Sequence, residues 1–110
     1  MAVKLEMDEI ETKQLYHTAW THWGGSAQID VLIEEMSELI HALIRARRCG
    51  REFNGAVIEE IADVSICIEQ MKNRLKECDY YDEYVQQVNY KQSHLKERLM
   101  ESMTDKMGRS

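Results

Sequence analysis

The amino-acid sequence predicts an all-α fold, a bundle of four to five helices, on three observations. There is no proline in 110 residues and there are only five glycines, so few positions break a helix. Apolar residues in most long segments recur every three or four positions, the period of a helix with one buried face. One phrase also occurs twice. Leu32-Ile33-Glu34-Glu35-Met36-Ser37-Glu38-Leu39 aligns without gaps with Val57-Ile58-Glu59-Glu60-Ile61-Ala62-Asp63-Val64, twenty-five positions further on, about the length of a helix and a turn.

A first helix is predicted from Glu6 to about His22, with Met7, Ile10, Leu15, Ala19 and Trp20 loosely periodic. It ends at Trp23-Gly24-Gly25, where two glycines free the backbone, and Ser26 is the expected N-cap of the next helix. Trp20 and Trp23 flank this break. They either close off a core or form the wall for a nucleobase. His17 and His22 are five apart, which misses the four-residue spacing that places two metal ligands on one helical face.

The second helix runs from about Ala27 to Arg48, with Leu32, Met36, Leu39, Ile40 and Leu43 expected as its buried stripe and Glu35 and Glu38 on its shoulder, one turn apart. Gly50 is its natural stop, and Arg45, Arg47, Arg48 and Arg51 complement the dipole at its end. Asn54 caps a third helix that continues to about Lys76. There Ile61, Val64, Ile68 and Leu75 form the expected stripe, with Glu60 and Asp63 in the same phase as the first acid pair. Asp79 and Asp82 are the expected capping pair of the last helix, whose apolar positions are Tyr81, Tyr84, Val85, Val88, Leu95 and Leu99. From Ser102 onward the chain reads as a frayed tail.

At this length the chain is expected to form one domain over residues 1–110. A formal charge of −6 argues against indiscriminate binding to nucleic acid or anionic membranes, and an acidic protein that handles phosphorylated ligands needs cations between the two. No run approaches the ~20 apolar residues of a membrane span, and the first residues lack a signal-peptide core. The expected address is the cytoplasm. Cys49, Cys67 and Cys78 are odd in number, have no Cys-x-x-Cys spacing, and read as free thiols of a reducing compartment.

Acid pairs on the wet side of amphipathic helices usually serve only solubility. Their repetition, in register with two apolar stripes, favours a metal site instead. If the two helices pack antiparallel, as a short connection favours, Glu35, Glu38, Glu60 and Asp63 converge. Four like charges packed together need a cation, and a hard divalent ion with an oxygen shell, magnesium above all, suits them. Manganese is the alternative ion.

Glu34-Glu35-Met36-Ser37-Glu38 followed by Glu60-Ile61-Ala62-Asp63 resembles the Glu-Glu-x-x-Glu then Glu-x-x-Asp signature of the all-α nucleoside triphosphate pyrophosphohydrolases, the MazG-like superfamily. That group includes dimeric dUTPases, dCTP-hydrolysing relatives and phosphoribosyl-ATP pyrophosphatase. The match covers Trp20 to Asp63. It implies a MazG-like helical bundle, a homodimer or homotetramer, that cleaves a nucleoside triphosphate to the monophosphate and pyrophosphate by attack at the α-phosphorus, for nucleotide-pool clearance.

It further implies that Glu34, Glu35 and Glu38 serve catalysis, with Glu34 orienting the water or assisting a metal, and that Trp20, Trp23, Gln28, Asn89 and Lys91 contact the substrate. The chain departs from the family towards its end. Val85-Gln86-Gln87-Val88 stand where relatives carry a lysine just ahead of the asparagine, and the tyrosine-proline ending of several relatives is missing. Two other functions fit the residues: phosphoribosyl-ATP hydrolysis on a similar carboxylate framework, and a non-enzymatic helical interaction module whose acids only solubilise two amphipathic helices.

Overall fold

A computed structural model describes Val3 and residues 5–108 of the chain. These residues form four helices and no strand: α1 (Glu9–Trp23), α2 (Gly25–Arg48), α3 (Gly55–Glu77) and α4 (Tyr81–Gly108). The all-α expectation therefore holds. The chain falls into two compact units, residues 1–74 and residues 75–110, with the division inside α3. No helix among the described residues is long and apolar enough to cross a membrane.

The helix ends follow from their sequences. Asp8 caps α1, its carboxylate accepting a 2.8 Å hydrogen bond from the Glu11 amide, so this helix starts three residues later than its apolar pattern suggests. Gly24 closes α1 and opens α2 in one residue. It takes a positive φ of 89° and donates its N–H to the Trp20 carbonyl, while its own carbonyl accepts from Gln28. Ser26 is thus inside α2 rather than its cap, because the glycine turn is tight enough to need no capping side chain.

The stop predicted at Gly50 is a Schellman ending: Gly50, at φ 70°, donates to Arg47, and Arg51 donates to Ala46. Asn54 caps α3 as expected, with the Val57 amide donating to its side-chain oxygen at 2.9 Å. Asp79 repeats the Schellman geometry at the end of α3 without a glycine, at φ 63°, with Tyr80 donating to Leu75. This makes Asp79 part of the preceding helix's ending rather than a cap for α4. Of the tail expected to fray from Ser102, residues 102–108 continue α4, since nothing between Ser102 and Met107 breaks a helix, and residues 109–110 lie outside the described residues.

In the first unit α1 packs on α2, and the Trp20 indole sits so close over Gly25 that an added Cβ would lie 3.2 Å from its ring nitrogen. α2 and α3 run antiparallel. Proceeding along α2 from Gln28 through Glu35 and Glu38 to Ala42 and Ala46 meets α3 in descending order at Gln70, Glu60 and Val57. Ala42 and Ala46 of α2 and Val57 of α3 form a small buried apolar cluster, small against β-branched.

The row of α2 turned inward is Gln28, Leu32, Glu35, Leu39, Ala42 and Ala46, all buried or half-buried. This corrects the expected stripes. Met36, Ile40 and Leu43 on α2, and Ile61 and Ile68 on α3, are exposed, because the inward row lies one position earlier and holds polar residues in its middle. In the second unit Tyr81, Tyr84 and Val88 are half-buried. Lys76 places its ammonium 4.6 Å from the centre of the Tyr81 ring. Leu95 and Leu99, expected on the same stripe, are exposed.

Candidate metal and ligand site

The site is built from two rows of identical spacing. Gln28, Val31, Glu35 and Glu38 advance along α2 by three, four and three residues, and so do Glu60, Asp63, Cys67 and Gln70 along α3. Steps of three and four keep each row on one helical face. Antiparallel packing sets them side by side in opposite order, so amides meet amides at one end and acids meet acids at the other.

At the acid end, one carboxylate oxygen each of Glu35, Glu38 and Glu60 lies within 4.8 Å of the others. Glu35 and Glu60 are half-buried and Glu38 is exposed. The Oε2 atoms of Glu35 and Glu60 are sealed from solvent with no hydrogen-bond partner among the described residues. An ionised oxygen in that position is costly, and its burial is the first cause that raises both carboxyls above their ordinary range, followed by the charges of Glu38 and Asp63. Glu35, near enough to share a proton with Glu60, pulls Glu60 the other way and is outweighed.

Asp63 is half-buried and within electrostatic reach of Glu35, Glu60 and Cys67. It stands outside the trio whose oxygens converge. Glu34 is exposed beside them and adds to the field on Glu35.

At the amide end the Gln28 side chain donates to the Gln70 side-chain oxygen. This pair forms part of a cavity of about 380 Å³, lined also by Trp20, Trp23, Ala27, Val31, Cys67 and Met71. Its size lies in the range of small-molecule sites, which are mostly apolar with a few placed polar groups. Cys67 joins the two ends. It lines the cavity, and its thiol is raised first by burial and then by Glu35 and Asp63, so a ligand in the cavity has the carboxylates as its neighbours.

The structure therefore brings Trp20, Trp23 and Gln28 into one cavity, and Glu35, Glu38 and Glu60 into one cluster with Asp63 nearby. Asn89 and Lys91 are exposed on α4, in the second unit, and the cavity is lined without them. Gln70 and Met71 were not anticipated. Gln70 was legible as the residue that continues Asp63 and Cys67 at helical spacing, and its pairing with Gln28 was not. All three cysteines are free thiols. Comparison of the chain with family models, curated proteins and solved structures returned no match, so the resemblance to the pyrophosphohydrolases rests on the acid motifs of the sequence alone.

The donor set fits a hard divalent cation. Each ligand offered is a carboxylate oxygen, and the two solvent-sealed oxygens of Glu35 and Glu60 want a positive partner that no side chain among the described residues supplies.

Proposed function

We propose that the chain is a magnesium-dependent nucleoside triphosphate pyrophosphohydrolase of the MazG-like kind, acting as a homo-oligomer. The observation that carries this reading is the adjacency of a carboxylate cluster with orphaned oxygens to an aromatic-walled cavity that ends in an amide pair. A nucleotide has the same two-part chemistry, a flat base with polar edges at one end and a polyanion at the other.

Glu35, Glu38, Glu60 and Asp63 would hold the magnesium. When bound, it supplies neutralising charge for phosphate oxygens and a water of lowered pKa. The protein's own residues do the rest. Trp20 and Trp23 offer ring faces to a base, and the Gln28–Gln70 pair offers one donor and one acceptor to its edge. Glu34, exposed next to the cluster, orients the attacking water or accepts its proton. Ionised Glu35 and Glu60 repel an unaccompanied triphosphate, so substrate enters only with its cations.

The test is pyrophosphate release from a panel of ribo- and deoxyribonucleoside triphosphates and phosphoribosyl-ATP, with and without magnesium. Release of pyrophosphate and monophosphate from a nucleoside triphosphate, abolished by chelation and by Glu38→Gln, is the expected result. No turnover of any nucleotide, or turnover indifferent to magnesium, overturns the proposal.

A further inference from the structure

We propose that the arginines at the end of α2, Arg45 and Arg48 with Arg47 and Arg51 beside them, form a docking site for a condensed phosphate chain. In the nucleotide reading given above, on which this half of the inference rests, the docked chain is the far end of the triphosphate whose base occupies the Trp20–Trp23 cavity. The affinity of the arginines for condensed phosphate does not depend on that reading.

Charge sets the patch apart. The chain has 20 acidic residues against 14 lysines and arginines, yet the thirteen positions from Leu39 to Arg51 hold four arginines and no carboxylate. All four arginines are exposed, and no hydrogen bond or ion pair engages their guanidinium groups among the described residues. Acids resume on either side in the sequence, with Glu34, Glu35 and Glu38 before the patch and Glu52, Glu59 and Glu60 after it.

The helix ending does not use up this charge. Carbonyls that a basic side chain could cap are taken by backbone donors: the Cys49 N–H reaches Arg45 and Ala46, Gly50 reaches Arg47, and Arg51 reaches Ala46. The dipole at a helix C-terminus amounts to about half a negative charge, which one guanidinium offsets. The rest is open to another anion. A guanidinium is weakly hydrated and can fork onto two phosphate oxygens at once, and Arg45 and Arg48, three apart, are neighbours on the helix surface, so they can hold successive phosphates.

The position of the patch fits such a ligand. Arg45 follows Ala42 by three positions, as Glu38 follows Glu35, so it stands on the same shoulder of α2 as Glu38, ~10 Å further along the axis. The order along α2 is therefore Gln28 at the cavity, then the carboxylates, then the arginines. A nucleotide runs the same way, from base through first to last phosphate. The small extent of the patch also selects its occupant. A nucleic acid strand longer than the patch would lie against the acids on either side and be repelled, whereas condensed phosphate concentrates several negative charges in a short length.

The full-length chain in metal-free buffer is titrated calorimetrically with inorganic tripolyphosphate, orthophosphate and a single-stranded oligonucleotide. Tripolyphosphate should bind more tightly than either of the others, and less tightly as salt is added. Arg45→Gln combined with Arg48→Gln, its helicity checked by circular dichroism, should weaken that binding by at least about tenfold. Arg98→Gln with Lys106→Gln, which removes the same charge from α4, should leave it unchanged. A second arm, in magnesium buffer, follows quenching of tryptophan fluorescence by a nucleoside triphosphate with a methylene α,β-bridge and by the matching monophosphate. The double arginine variant should lose about tenfold in affinity for the triphosphate and keep its affinity for the monophosphate.

Absence of tripolyphosphate binding, an equal loss in the α4 variant, or tighter binding of the oligonucleotide overturns the arginine site. Tripolyphosphate binding that the arginine variant weakens, in a chain that takes up no nucleotide, upholds the arginine site and overturns the nucleotide reading instead. A triphosphate affinity that the arginine variant leaves unchanged overturns the placement of the nucleotide's far phosphates on this patch.

Discussion

Replacing Gln70 by Leu separates a ligand-reading amide pair from a structural one. Gln28 donates to Gln70 at the end of the cavity, and both are half-buried. In the free protein water can take the place of the lost partner, so Gln70→Leu should change stability by less than about 1 kcal/mol. With a base in the cavity, water is excluded, and a polar edge left facing Leu costs about 1–3 kcal/mol. The half-buried setting favours the lower part of that range, which corresponds to a rise in KM of about 5- to 30-fold.

The substitution is at the opposite end of the row from Glu38 and Glu60, so kcat should hold, the signature of binding shared by ground and transition states. Gln28→Leu should behave alike, and the double variant should lose less than the two singles together, by about 0.5–1.5 kcal/mol. Steady-state kinetics on the nucleotide turned over best gives all three numbers. An unchanged KM in both single variants, or a falling kcat at constant KM, would refute the role assigned to the pair.

Glu38 is the foremost of the neighbouring charges that raise both Glu35 and Glu60, after burial, so Glu38→Gln should cut turnover by orders of magnitude while raising the melting temperature of metal-free protein. Loss of activity together with loss of helicity would count against a catalytic explanation. The raised carboxyls of Glu35 and Glu60 also fix a pH trend. Their folded-state values exceed the unfolded ones, so the metal-free fold gains stability below the ordinary carboxylate range and loses it as pH rises through the raised values. Thermal melts in chelator should therefore fall as pH rises above the ordinary carboxylate range, less steeply in Glu60→Gln, and magnesium should recover most at the alkaline end. Asp79 holds a left-handed conformation at φ 63°, so Asp79→Gly should stabilise the chain by about 0.5–1 kcal/mol in urea unfolding, and a loss would refute the strain assigned there.

Helix type and most boundaries were legible because they depend on local chemistry. Asn54 and Gly50 act where the sequence places them, through a side-chain acceptor and a left-handed turn. The acid cluster was legible because a repeated motif at helical spacing, folded back on itself, has few other ways to meet. Which apolar row faces inward was not legible. Periodicity gives the width of a helix's apolar arc, and on α2 that arc runs from Leu32 and Leu39 to Ile33 and Ile40, wide enough for two partners. One of them is α3, and its side is chosen by small residues, Ala42 and Ala46 against Val57, which a search for large apolar side chains passes over. The Gln28–Gln70 contact depends on register between helices forty-two residues apart, and no local rule carries that information.

The placement of the site bears on the stability of the whole unit. Between α2 and α3 the positions that would ordinarily be filled by leucine and isoleucine hold Gln28, Glu35, Glu60, Asp63 and Gln70. Three carboxylates in that seam, with Glu38 exposed beside them, destabilise the pair as long as no cation is bound. If magnesium relieves that repulsion it should steady both helices, and Glu60→Gln, which relieves part of it without the ion, should gain less from magnesium than wild type. Thermal melts of the two proteins with and without magnesium measure the difference, and an equal gain in both would show that the seam holds no repulsion for the ion to relieve.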